Sequence, residues 1–212
     1  MTYPLISYPS IFGIPIIYLT YISILYNFAD DEKPYKLNKF MFFYNIFQII
    51  FNLFIVYGFL FTFYFEFFIY LHYISKYIDY IDTIIIILRK KNNQLSFLHI
   101  YHHSTISILW GLILKAKEAN NISYFGCFIN SFIHSIMYSH YLYTSLGFIN
   151  PYKKLITKAQ IIQFYLCIFY SIYIIYYNFT ISIIYPYIQI IYCLIMIILF
   201  QDYYKKKLNN YF

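Results

Sequence analysis

The chain has 212 residues, of which 62% are hydrophobic and only 11% charged, with a formal net charge of +7. Soluble domains carry about a quarter charged residues, so this chain cannot cover a globular surface with polar groups, and its hydrophobicity excludes disorder. A soluble enzyme and a nucleic-acid binder are set aside with them, because the basic residues stand in short clusters between apolar runs, where they report orientation in a membrane. Tyr (30) and Phe (24) dominate the aromatic content. With plentiful Ile and Asn they follow A/T-rich codons and are not read as a stacking surface.

A membrane-crossing helix needs roughly 20 apolar residues. In chain order the apolar runs are Ile11–Phe28, Phe40–Phe65, Phe67–Leu88, Phe97–Leu114, Ile122–Leu146, Ala159–Tyr177 and Ile181–Gln201. The second and third are separated only by Glu66, which marks either a tight turn or a misplaced boundary. Seven spans place the termini on opposite sides, and the positive-inside rule sets the C-terminus in the cytosol. The cytosolic loops then hold Lys33, Lys36, Lys39, Arg89, Lys90, Lys91, Lys153, Lys154, Lys158, Lys205, Lys206 and Lys207. The opposite side holds only Lys115 and Lys117, and Lys76 lies inside a span. The expectation is one multi-pass domain over residues 1–212 whose first span is its own anchor, with no cleavable signal peptide. Cys127, Cys167 and Cys193 each lie inside an apolar run without paired spacing and read as buried, inert thiols. Asn178-Phe-Thr180 has the glycosylation acceptor pattern on the non-cytosolic side.

Ionisable side chains inside spans are costly and point to function by default. The third run holds Lys76, Asp79 and Asp82, with Thr83 beside them. Their spacing of three places them near one helical face, as interhelical glue or as the charged wall of a cavity. The fourth run opens with His99, His102 and His103 at i, i+3 and i+4, all on one side of the helix. Such a cluster suits metal ligation or an imidazole acting as nucleophile or base. The fifth run carries Asn130, His134 and Tyr138 one turn apart, together with Met137 and His140. The sixth begins with Thr157, Lys158, Gln160 and Gln163, the two glutamines nearly one turn apart and able to donate to carbonyl or phosphate oxygens. In the expected orientation these groups fall near the cytosolic ends of four spans, while the apolar remainder suits an alkyl chain. The constellation fits chemistry on an amphiphile whose polar end enters from the cytosol.

These motifs together resemble the ELO family of fatty acid elongases, the membrane condensing enzymes of very-long-chain fatty acid synthesis. Lys76-Tyr-Ile-Asp-Tyr-Ile-Asp-Thr83 is similar to that family's Lys-x-x-Glu-x-x-Asp-Thr, with Asp79 where Glu is usual. His99-Ile-Tyr-His-His103 matches its histidine box, and Asn130, His134, Met137 and Tyr138 match its Asn-x-x-x-His-x-x-Met-Tyr block. Thr157-Lys-Ala-Gln-Ile-Ile-Gln-Phe164 resembles its late Gln-x-x-Gln-Phe segment, and Lys33-Pro-Tyr ahead of Tyr44-Asn45 its approach to the second span. His140 departs from the family, which usually has an aromatic residue there.

The resemblance implies an all-α fold of about seven transmembrane helices enclosing an acyl-chain tunnel, N-terminus lumenal, in the endoplasmic reticulum membrane. It implies a 3-oxoacyl-CoA synthase that condenses acyl-CoA with malonyl-CoA, with no metal and no cofactor beyond these substrates. His102 would carry an acyl-imidazole intermediate, His134 would position the second substrate, and His99 and His103 would orient the box. Asp82 would fix a histidine tautomer, and Lys76 and Asp79 would hold structure or contact CoA. Asn130, Met137, Tyr138, Gln160 and Gln163 would line the substrate. Expected partners are membrane lipid and the reductases and dehydratase of the elongation cycle, with no nucleic acid; the reading leaves a homo-oligomer open. A di-iron desaturase or hydroxylase shares HxxHH but needs about eight histidines, against the six present here. A proton-coupled transporter would show inverted repeats and broken helices, of which the sequence gives no sign.

Overall fold

Away from water, a backbone must satisfy its own N–H and C=O groups, which leaves helices as the solution for isolated apolar runs. The computed structural model describes residues 3–30, 32–116, 123–177 and 183–209, and among them there is no strand. The helices are α1 (Tyr8–Asp30), α2 (Asn38–Phe61), α3 (Phe65–Ile78), α4 (Tyr80–Leu88), α5 (Phe97–Lys115), α6 (Ser123–Ser145), α7 (Lys153–Tyr177) and α8 (Ile184–Asn209). Each expected span has its helix, and the third has two, divided at Asp79. Among the described residues, four segments are long and apolar enough to cross a membrane: Tyr8–Ala29, Asn38–Phe61, Lys153–Tyr177 and Ile184–Lys206. α3 and α4, of 14 and 9 residues, are each too short alone. α5 and α6 have the length, but their histidines and hydroxyl residues reduce their hydropathy. The chain is thus a multi-pass membrane protein by its apolar helices. The glycosylation pattern at Asn178 lies outside the described residues.

The join between the second and third runs is a tight turn. α2 ends at Phe61, the Thr62 N–H and hydroxyl both donate to the Gly58 carbonyl (3.1 and 2.7 Å), and α3 begins at Phe65. Glu66 sits in the first turn of α3, where a carboxylate complements the helix dipole.

The chain forms two compact units, Met1–Asn38 with Tyr70–Lys117, and Lys39–Ile69 with Glu118–Phe212. In the first, α1 packs on α4 and α5. Association of apolar helices in lipid rests on close packing rather than on a hydrophobic gain, and Gly111 of α5 supplies the approach. A Cβ there would lie 2.7 Å from Ile11 Cγ1 and 3.1 Å from Tyr73 Cε2. Tyr18 of α1 stacks on Tyr80 of α4 with ring centroids 3.9 Å apart. Ser96 caps α5, its hydroxyl accepting from the His99 N–H at 3.2 Å, so the histidine cluster occupies the first two turns of a well-capped helix.

In the second unit α7 packs on α6 and α8. At the α2–α3 turn Gly58 lies so close to the Phe68 ring that a Cβ would overlap it. Cys127, Cys167 and Cys193 are buried free thiols, as expected.

Both units expose large apolar side chains and bury polar ones within an apolar core. Ile16, Ile17, Phe43, Ile50, Phe169 and Ile198 are exposed, whereas Gln48, Asn52, Ser75, Thr83, Ser107 and Ser171 are buried. Many hydroxyls bond back to their own helix: Ser104 to the Ile100 carbonyl, Thr105 to Tyr101, Ser139 to Ser135 and Ser171 to Cys167, at 2.7–2.9 Å. This satisfies a hydroxyl without water.

Candidate active site

The motif residues fall into one set in each unit. In the first unit, Lys76 Nζ lies 3.5 Å from Asp79 Oδ2, and the two side chains are only 1% and 4% exposed. Lys76 closes α3 and Asp79 occupies the break before α4; the Asp79 N–H still donates to the Ser75 carbonyl at 2.9 Å. The pair therefore sits at the helix interruption, and a buried ion pair there is costly to break from one side. Asp82 is half-buried in the first turn of α4, its N–H donating to the Asp79 carbonyl at 3.1 Å.

Thr83, fully buried one residue on, places its Oγ1 2.8 Å from His99 Nε2 and 2.7 Å from the Tyr18 hydroxyl. The tautomer-fixing role expected of Asp82 is, for His99, within reach of Thr83. His99 and His103 lie against each other with ring centroids 4.2 Å apart, and His102 meets His103 edge-on at 5.8 Å. All three imidazoles are only partly buried. Among the described residues no group of three His, Cys, Asp or Glu side chains gathers as metal ligands.

The second unit holds the other motif residues, joined as neutral rungs. Asn130 Nδ2 of α6 donates to Gln163 Oε1 of α7 at 3.5 Å, and Gln160 Nε2 approaches Met137 Sδ at 3.5 Å. Both glutamines predicted from the sequence therefore face the α6 motif. The second contact, to a thioether, is weak and easily exchanged for a stronger acceptor. His134 is buried and lies 5.9 Å from the ring of Tyr138, one turn on. Tyr138 is completely buried, and its hydroxyl accepts from Gln48 Nε2 at 3.0 Å. The same Gln48 nitrogen donates to the Tyr44 hydroxyl at 2.9 Å, and the Gln48 carbonyl accepts from Asn52 Nδ2 at 2.9 Å.

His140 points elsewhere. Its Nδ1 accepts from Asn150 Nδ2 at 2.8 Å, and Asn150 Oδ1 in turn accepts from the Tyr152 N–H at 2.8 Å. The residue that departs from the family pattern thus fastens the α6–α7 loop.

The sequence reading missed the α2 contribution and Tyr18. Gln48 and Asn52 follow Tyr44 at intervals of four in a largely apolar helix, a polar stripe that the spacing alone displays. Tyr18 carries no such signal, being one tyrosine among 30.

Fatty acid elongase 5 of Leishmania major is 42% identical over 218 residues, covering 97% of this chain and 88% of that protein. Fatty acid elongase 5 of Trypanosoma cruzi is 46% identical over 129 residues, covering 61% of this chain and 51% of that protein. Human very long chain fatty acid elongase 4 is 49% identical over 94 residues, covering 42% of this chain and 30% of that protein. The matched part of the chain thus spans about half the length of the Trypanosoma relative and most of the Leishmania one. The profile of the ELO (GNS1/SUR4) family matches residues 3–211, and the chain belongs to that family.

Proposed function

We propose that the chain is a fatty acid elongase that condenses an acyl-CoA with malonyl-CoA to give a 3-oxoacyl-CoA, carbon dioxide and CoA. The observation that carries this reading is the histidine face of α5. His99 is engaged at Nε2 by Thr83 and His103 lies against His99, and the resemblance to the elongase family assigns the nucleophile to His102. The His102 imidazole bonds to the acyl carbonyl carbon as the thioester C–S bond breaks, and the CoA thiolate leaves and takes up a proton. Malonyl-CoA loses carbon dioxide, and its enolate carbon attacks the acyl-imidazole. The C–N bond then breaks, and the released imidazole nitrogen takes up a proton from water, restoring His102.

The developing enolate oxygen calls for preorganised donors, a role suited to the amides of Asn130, Gln160 and Gln163. His134 positions the second substrate, with Met137 and Tyr138 beside it in sequence. Lys76 and Asp79 maintain the α3–α4 interruption, and Asp82 helps to orient the box. The acyl chain occupies an apolar tunnel of a seven-span protein of the endoplasmic reticulum membrane, C-terminus cytosolic. The uneven distribution of lysines supports that orientation. The 3-oxo product passes to the reductases and dehydratase of the elongation cycle.

The test is an elongation assay on membranes containing the chain, with labelled malonyl-CoA, a panel of acyl-CoAs and a His102→Ala variant alongside. Labelled 3-oxoacyl or elongated product from wild type, absent from the variant, is the expected result. A well-expressed wild type that gives no product with any acyl-CoA overturns the proposal, as does a variant that retains wild-type activity.

A further inference from the structure

Two phenols of the first unit lie face to face, and each reaches a buried hydroxyl. Tyr80 is 2.7 Å from Ser107 Oγ, which donates to the Ser104 carbonyl at 3.3 Å, so that chain ends on inert backbone. Tyr18 is 2.7 Å from Thr83 Oγ1, and that chain ends on His99 Nε2 at 2.8 Å. The geometry points to Tyr18, from a helix outside every motif, as a positioning residue that fixes the tautomer of His99 through Thr83. This inference rests on the condensing-enzyme reading for its catalytic consequence, but not for its structural content.

The direction of the relay follows from counting protons. Thr83 has one hydroxyl hydrogen and two oxygen or nitrogen neighbours in this chain. If His99 Nε2 carried a proton and donated to Thr83, Thr83 would donate to Tyr18. The Tyr18 hydrogen would then need a further acceptor. Tyr18 is 5% exposed and makes no other hydrogen bond among the described residues. A buried donor left unsatisfied is costly. In the opposite sense both hydroxyl protons have an acceptor, since Tyr18 donates to Thr83 and Thr83 donates to His99 Nε2, while the remaining Nδ1 proton belongs to a ring that is only partly buried. His99 is then held neutral with its proton on Nδ1 and its Nε2 lone pair occupied. It cannot attack a thioester through Nε2, and its ring is fixed as the surface against which His103 lies, 4.2 Å away.

The stack on Tyr80, 14° from parallel, makes Tyr18→Phe a clean probe, because the ring contact survives while the hydroxyl is lost. Thr83→Val cuts the relay at its other junction, and Tyr21→Phe, on an exposed position of the same helix, serves as the matched control. The full chain with ¹⁵N-labelled histidine is purified in detergent, and the His99 signals are assigned by difference from His99→Asn. Wild type is expected to show a pyridine-type Nε2 and a protonated Nδ1 at His99. Tyr18→Phe and Thr83→Val are expected to give a mixture of tautomers, and Tyr21→Phe the wild-type spectrum. In the condensation assay Tyr18→Phe should lower kcat about tenfold with KM little changed, the loss of one neutral hydrogen bond felt at the reacting step.

A wild-type His99 protonated at Nε2 overturns the inference, as does a Tyr18→Phe protein with unchanged His99 signals. A shifted His99 spectrum with unchanged kcat overturns the catalytic part. The spectra need no substrate, so a protein without condensing activity would refute the proposed function while the tautomer assignment is judged separately.

Discussion

In the unit built from α1, α4 and α5, Lys76 and Asp79 are withdrawn from solvent as an ion pair, and a phenol–hydroxyl–imidazole relay runs nearby. In the unit built from α2, α6, α7 and α8, the buried polar side chains are amides, hydroxyls and imidazoles, among them Asn45, Gln48, Asn52, Ser131, His134, His140, Gln163 and Gln189. Buried charge and buried dipoles respond differently to damage. Removing one member of an ion pair leaves an uncompensated charge, which is far worse than replacing both. Removing one partner of a neutral hydrogen bond leaves a dipole whose penalty is smaller. The first unit should therefore fail abruptly under substitution, and the second by degrees.

The largest effect is expected at Lys76. Lys76→Met leaves the Asp79 carboxylate in a site from which solvent is excluded, and should cost about 3–5 kcal/mol of stability. Adding Asp79→Leu should recover a large part of that loss. Thermal unfolding in detergent of wild type, both single variants and the double variant measures the coupling. A single variant no worse than the double one would mean that the pair is not held as an ion pair.

Packing does not distinguish the units in this way, since each has a glycine at a close approach. Gly58→Val drives a side chain into the Phe68 ring, and overpacking of that kind costs about 3 kcal/mol. The corresponding change at Gly111 meets the flexible end of Ile11 and the edge of Tyr73 and should cost less. Combining Gly58→Val with Phe68→Leu should restore part of the stability. If Gly111 proves the more sensitive site in the same unfolding assay, helix approach is tighter in the first unit.

The contrast between the units was partly legible in the sequence. Lys76, Asp79 and Asp82 in an apolar run signalled buried charge, and the spacing of His99, His102 and His103 signalled a shared helical face, because both follow from helical periodicity alone. The Asn130–Gln163 rung needs α6 against α7, which a polar stripe on each helix anticipates but does not pair. The break at Asp79 was not legible: the run from Phe67 to Leu88 contains no proline or glycine to announce it. Nor was Tyr18, since its role depends on which turn of α1 meets Thr83, a matter of helix packing that periodicity leaves open.

A smaller effect is expected at Gln48, where one amide nitrogen serves both Tyr44 and Tyr138. Gln48→Leu keeps the volume but leaves two phenols without that donor, at a cost of about 2 kcal/mol. Tyr138 lies beside His134, so condensation should fall as well. Gln48→Glu offers the phenols an acceptor but places a carboxylate in a fully buried site, and should not rescue either property. Full stability and activity in Gln48→Leu would show that the phenols are held by their ring contacts, such as the edge-on packing of Tyr44 on Tyr138.

The smallest effect is expected at the α6–α7 loop, and it sets the lower bound of graded failure in the second unit. Asn150 uses both ends of its amide, donating to His140 Nδ1 and accepting from the Tyr152 N–H. His140 is buried, but Tyr152 is exposed, so water can replace the second bond and only the first is lost outright. Asn150→Ala should therefore cost about 1 kcal/mol, with condensation unchanged because His140 faces the loop and not the His134–Tyr138 stripe. A loss as large as that of Lys76→Met would place a hidden charge on His140 and end the distinction between the units. A loss of activity without a loss of stability would instead move His140 into the reaction.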